Sequence, residues 1–218
     1  MRDWRKQHSE VITSFAKYLN DKTDNFIIKH GAALYLCYNL DRFSKDIDLD
    51  GKEKGLAVLV ESFCAENGYS YRVAKDTDTV ERCMLNYGNV GKPLKIEASY
   101  RRREIPAEET ETINKIKVYG IESLCVMKVN AYAGRDKIRD LYDVTFICNN
   151  YFDRLSPQTI SLVRGAVAHK GIAQFDYVVR NQPDELIDSD QLADDFLKMY
   201  DRLGLLLDEN EREILKNG

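Results

Sequence analysis

Apolar residues Trp4, Val11, Ile12, Phe15 and Leu19 recur at helical spacing, which predicts an amphipathic helix over residues 3–20. The pattern then shortens. "NFIIKHG" reads as a short buried strand ending at Gly31, "AALYLCYNL" as a helix directly after it, and "DIDLDG" as a second strand closed by a glycine. "KEKGLAVLVESFCAENG" predicts a helix that stops at Gly68. Strand-like runs follow in "YSYRVAKD", "RCMLNYG" and "PLKIEASY", with "TINKIKVYG" as a further strand. From Ile121 onward the segments "IESLCVMKVNAYAG", "KIRDLYDVTFICNN", "SPQTISLVRGAVAHKG", "DSDQLADDFLKMYDRLG" and "DENEREILKNG" all read as helices with a cap or a breaker. The expected organisation is α/β (α+β): a mixed-sheet core over residues 1–120, then a helical domain over 121–218 packed on that core.

The segment "DRFSKDIDLD" sets the first chemical question. Asp46, Asp48 and Asp50 alternate with Ile47 and Leu49, so on a strand the carboxylates share one face and the aliphatics the other. Like charges lined up in this way need a cation between them or full access to water. Two carboxylates two residues apart can converge on one Mg²⁺ or Mn²⁺, a hard ion that takes one or two carboxylates plus substrate phosphates. An exposed edge strand whose charges block aggregation fits the same pattern. In "LKIEASY", Lys95, Glu97 and Ser99 share a face, so Glu97 could add a third metal-binding carboxylate to Asp46 and Asp48 if the two strands are neighbours. It could equally pair with Lys95 or with an arginine across the sheet. Gly31 lies where a strand gives way to a helix, a place where backbone N–H groups are oriented toward an anion.

Composition narrows the classes. Apolar residues make up 44% and charged residues 31%, an ordinary globular balance. A net charge of −4 argues against coating a membrane or a long nucleic-acid backbone by bulk charge, and Arg101, Arg102 and Arg103 form the one dense basic run. The five cysteines include no CxxC pair and fall mostly in apolar stretches, the pattern of reduced, buried thiols. No secretory signal and no membrane-length apolar run is present, so a cytoplasmic location without a membrane partner is expected.

In "KVNAYAGRDKIRDLYD", Lys128, Arg135 and Arg139 fall on one helical face if Gly134 does not interrupt it, and Asp136, Asp140 and Asp143 form a parallel row. A functional cluster and a set of helical salt bridges, Asp136–Arg139, Lys137–Asp140 and Arg139–Asp143, fit this pattern equally well.

Taken together, "IIKHGAALYL", "LDRFSKDIDLD" and "KVNAYAGRDKIRDLYDV" resemble the AbiEii/AbiGii toxin family of nucleotidyltransferases, over roughly residues 25–150. The resemblance implies a nucleotidyltransferase-type sheet core with a C-terminal helical bundle. It implies metal-dependent transfer of a nucleotide from an NTP, with the 3′ end of tRNA as a possible acceptor and an antitoxin protein as a possible partner. Asp46, Asp48, Lys128, Asp140 and Asp143 are the implied catalytic residues. Gly31, Arg42, Ser44, Lys128 and Arg139 are the implied nucleotide contacts, with Ser44 placed on the Asp46 face. Lys128 would hold phosphates and face Asp46 and Asp48 across a cleft, so its removal should spare the fold. Asp140 or Asp143 would orient it or help activate the acceptor hydroxyl. Two positions depart from the family pattern: His30 stands in place of its first glycine, and Ala32 in place of a hydroxyl residue. A catalytically inactive binding module of the same fold and a DxD glycosyltransferase are the alternative readings.

Overall fold

The computed structural model describes residues 4–88 and 91–206. The chain divides into two compact units, Met1–Gly120 and Ile121–Gly218.

In the first unit the elements run α1 (Trp4–Lys22), β1 (Phe26–Lys29), α2 (His30–Cys37), β2 (Asp46–Gly51), α3 (Leu56–Asn67), β3 (Ser70–Thr77), β4 (Val80–Asn86), β5 (Leu94–Ser99), β6 (Thr110–Ile113) and β7 (Ile116–Tyr119). The strands form one seven-stranded sheet in the order β3-β4-β5-β2-β1-β7-β6. The acidic strand β2 therefore lies inside the sheet, parallel to β5 and antiparallel to β1. An aggregation-blocking edge is thereby excluded. The expected alternation holds: Ile47 and Leu49 are fully buried, as are Ile96 and Ala98 on β5. They turn toward a core that includes Ile12, Phe15, Leu34, Val60 and Phe63, where Phe15 and Phe63 meet edge-to-face at 5.2 Å. Gly68 ends α3 in a left-handed conformation (φ 68°), as its sequence position predicts.

"TINKIKVYG" is not one strand. Asn114 and Lys115 both take positive φ (52° and 66°) and fold the segment into the β6–β7 hairpin, a two-residue turn whose twist matches its strands.

The second unit comprises α4 (Ile121–Gly134), α5 (Ile138–Tyr151), α6 (Pro157–Asn181) and α7 (Ser189–Arg202). Ser156 and Asp188 cap α6 and α7 with their side chains, and the stacked rings of Phe175 and Phe196, 4.3 Å apart, join the two helices. α6 runs past the glycine expected to stop it: Gly171 (φ 65°, ψ 180°) breaks it locally, and helix resumes to Asn181. Gly134 does end α4, so Lys128 and Arg139 lie on different helices. The predicted helix "DENEREILKNG" lies outside the described residues.

Candidate functional site

β1 delivers the chain to α2 beside the acidic strand, because Lys29 is the register partner of Asp48. At the junction His30 takes φ 58°, a conformation that favours glycine. His30 thus holds, at a conformational cost, a backbone conformation that glycine adopts freely. The next residue, Gly31, is needed for space: a Cβ there would meet Arg42 Nη2 at 3.0 Å and Ser44 Oγ at 3.7 Å. Arg42 and Ser44 are both buried and gather over the first turn of α2. Ala32 is buried in the core, 2% exposed.

Ser44 is not on the strand face. It precedes β2, and its hydroxyl donates to the Asp46 carbonyl at 3.3 Å. Arg42 and Ser44 thus both lie against Gly31, and Ser44 reaches on to the Asp46 carbonyl. The loop is braced from the far side by His8, which is buried. Its Nε2–H donates to the Lys45 carbonyl at 2.9 Å and its Nδ1 accepts from the Tyr87 hydroxyl. Burial pulls the His8 pKa below its ordinary value, against the opposing pulls of the Lys45 carbonyl and the Asp46 charge.

Asp46 and Asp48 share a face, with side chains 45% and 32% exposed. The cation between them is Lys95, whose ammonium lies 3.4 Å from an oxygen of each. Burial lowers the Lys95 pKa, but the Asp48, Asp46 and Glu97 carboxylates more than offset it and hold the ammonium above its ordinary range. β5 is the neighbour of β2, the condition the sequence set for Glu97, and Glu97 is the register partner of Asp48, yet its carboxylate is paired with Arg82 on β4. Among the described residues no group of three or more His, Cys, Asp or Glu side chains is gathered to hold a metal ion. The donor set that remains, two half-exposed carboxylates already sharing one cation, fits an ion whose other ligands come from substrate phosphates.

Asp50 belongs elsewhere. It is buried, 2.6 Å from Lys29 Nζ and 2.9 Å from the Tyr119 hydroxyl, which locks β1, β2 and β7 together. The basic run follows β5 at the end remote from Lys95, and Arg102 is engaged with Glu109 at 2.5 Å.

In the second unit Lys128 is buried, with Nζ 2.6 Å from Asp143 and 3.6 Å from Asp140. Arg135 grips Asp140 from the other side through Nε at 2.6 Å and Nη2 at 3.2 Å. The four form a quartet of balanced charge. Arg139 stands apart from it and pairs with Asp184 at 2.6 Å, while Asp136 pairs with Lys170 at 2.6 Å. The helical pairs Asp136–Arg139 and Lys137–Asp140 are not set up because α5 begins only at Ile138, and within α5 Arg139 pairs with Asp184 while Asp143 pairs with Lys128. Sequence reasoning missed Lys95 as the cation of Asp46 and Asp48 and Arg135 as the partner of Asp140, whereas Arg82 is the arginine across the sheet that it had left open for Glu97. The alternation of Lys95 and Glu97 on β5 was the signal that could have found the first.

The described cysteines are all unpaired as disulfides, four of them buried, and burial pushes the Cys64 and Cys83 thiols up to about 11. No helix among the described residues is long and apolar enough to cross a membrane.

Residues 17–217 match the family described as nucleotidyl transferase AbiEii toxin, Type IV TA system. The solved structure of JHP933 from Helicobacter pylori is similar to this chain at 26% identity and a TM-score of 0.77, over 100% of this chain and 98% of that one. MenT4, a nucleotidyltransferase toxin from Mycobacterium tuberculosis, shares the fold at 17% identity and a TM-score of 0.56, over 93% of this chain and 85% of that one. No curated protein matches.

Proposed function

This chain belongs to the AbiEii family of nucleotidyltransferase toxins, and from that premise we propose that it moves a nucleotide from an NTP to the 3′ end of an RNA, tRNA being the foremost candidate, with a divalent ion held by Asp46 and Asp48. The observation that carries this reading is the shared ammonium at 3.4 Å, which marks one cation position between two half-exposed carboxylates. Arg42 and Ser44 gather beside Gly31, and Ser44 reaches the same strand at Asp46.

Each residue in this unit then has a task. The first turn of α2, the Arg42 guanidinium and the Ser44 hydroxyl receive the triphosphate, a combination of backbone N–H groups and a cation suited to an anion. Asp46 and Asp48 would hold Mg²⁺ or Mn²⁺, which supplies charge stabilisation for the phosphoryl group when bound. In the transfer, the acceptor hydroxyl oxygen forms a bond to the α-phosphorus and the α–β bridging bond breaks. Pyrophosphate leaves with that electron pair, and the hydroxyl proton passes to solvent or to an exposed carboxylate oxygen of the pair. In the second unit, Asp143 and Asp140 hold the Lys128 ammonium and Arg139 fixes α5 through Asp184. The type IV classification of the family supports a cognate antitoxin, and the soluble composition supports action in the cytoplasm.

The test is incubation with each labelled NTP, total RNA and Mg²⁺, with Asp46→Asn as control. Label in the tRNA band with wild type alone supports the proposal. No label in any RNA with any of the four NTPs would overturn it.

A further inference from the structure

We propose that Lys95 is a resident counter-cation of Asp46 and Asp48, and that it holds the position a divalent ion must take, so that the ion binds well only when a nucleotide arrives with it. This rests on the assignment of Asp46 and Asp48 as metal-binding carboxylates.

Three observations carry it. Lys95 is the register partner of Asp46 on the neighbouring parallel strand, so the ladder itself delivers its side chain to the acidic face. Its ammonium meets both carboxylates at 3.4 Å, looser than the 2.6 Å contact that Lys29 makes with buried Asp50 on the same sheet. Its side chain is 27% exposed, against 16% for Lys29, so water can reach it and it can leave. An ammonium only donates, and it cannot share the oxygens of a metal-bound carboxylate pair without like-charge repulsion.

An exit lies at hand. Glu97 is two residues further along β5 on the same face and already accepts from Arg82. Beside the pair, Glu97 is matched by Arg82 and Asp50 by Lys29, so the immediate cluster of Asp46, Asp48 and Lys95 is left with a single net negative charge. A free divalent ion is attracted weakly to such a face. An NTP–metal complex brings its own ligands and also gives the displaced ammonium an anion to meet.

Half-exposed ion pairs of this kind are individually weak, so the competition amounts to about three- to thirty-fold in metal affinity. The experiment is titration of the nucleotide-free protein with Mn²⁺, with free ion read by electron paramagnetic resonance. Lys95→Met keeps most of the stem and removes the charge, and Lys95→Gln serves as a second variant should the first fold poorly. Both should bind Mn²⁺ more tightly than wild type by about that factor, Lys95→Arg should bind like wild type, and adding Asp46→Asn to Lys95→Met should erase the gain. Unchanged or weakened Mn²⁺ binding in Lys95→Met and Lys95→Gln would overturn the inference. The two proposals fail separately. Loss of nucleotide transfer in Asp46→Asn with no gain in Lys95→Met rejects only the role of Lys95. A gain in Lys95→Met from a wild type that labels no RNA rejects only the transfer reaction.

Discussion

The ammonium of Lys128 rests 2.6 Å from a carboxylate oxygen of Asp143, and that carboxylate has no exposure to solvent. A buried charge left alone is costly, whereas a matched pair replaced by apolar groups often is not. Lys128→Ala and Asp143→Ala should each destabilise the protein by about 3–5 kcal/mol, and Lys128→Met/Asp143→Leu should recover most of the loss. Urea unfolding of the three variants measures it. The sequence placed Lys128 toward a cleft and expected its removal to spare the fold; a side chain 7% exposed and paired with Asp143 and Asp140 predicts a loss of stability instead.

Asp46→Asn and Asp48→Asn should behave in the opposite way. Their carboxylates are half-exposed and share one loose cation, so stability should change by less than about 1 kcal/mol. Transfer should fall by about 10²-fold or more, since the metal stabilisation they support is worth several kcal/mol. Melting curves beside initial rates with labelled NTP provide the comparison. Full activity in both variants would remove the pair from the site.

Asp50 separates position from chemistry. It continues the same alternation, yet it is spent on Lys29 and Tyr119. Asp50→Ala should cost about 3–5 kcal/mol in unfolding while the protein that remains folded, isolated at low temperature, retains its transfer rate.

Gly31→Ala tests the corner over α2. The added methyl would approach Arg42 Nη2 to 3.0 Å, close enough to push the guanidinium by a few tenths of an ångström. NTP affinity should weaken about three- to ten-fold, the size of a strained charge-assisted hydrogen bond, with little change in melting temperature. Equilibrium binding of a non-hydrolysable NTP reads this directly.

His8 predicts an acid dependence of stability. Its folded-state pKa is lowered from 6.5, first by burial, so the unfolded chain takes up the proton before the folded one. Stability should fall as pH drops below 6.5 and should stop falling, as far as this group is concerned, once the folded ring itself protonates. The melting temperature of His8→Gln should be lower at neutral pH and flatter across that window.

The order of elements was readable because each carries a local cause: the period of Ile47 and Leu49, the left-handed stop at Gly68, the cap at Ser156. The sharing of one sheet face by Asp46, Asp48 and Glu97 was readable for the same reason. What sequence could not supply was the identity of partners across the sheet and between helices. Glu97 had Lys95 and several arginines within plausible reach, and only the pairing of β4 with β5 selects Arg82. The hairpin in "TINKIKVYG" escaped notice because its turn, Asn114-Lys115, contains no glycine. The salt-bridge partners of Asp136 and Arg139 come from Lys170 and Asp184, far along the chain, and α5 begins only at Ile138, neither of which periodicity decides.

The pairing of β2 with β5, from Asp46 opposite Lys95 to Asp50 opposite Ser99, makes the site a matter of parity. On β2 the charged side chains occupy even positions and on β5 Lys95 and Glu97 odd ones, and the intervening residues are all core. A single residue inserted within either strand would exchange the two sets beyond it, burying carboxylates and exposing Ile or Leu, whereas an insertion in the connection between β4 and β5 shifts nothing. Genes that keep this reaction are therefore free to change length between strands, and within β2 and β5 only by steps of two.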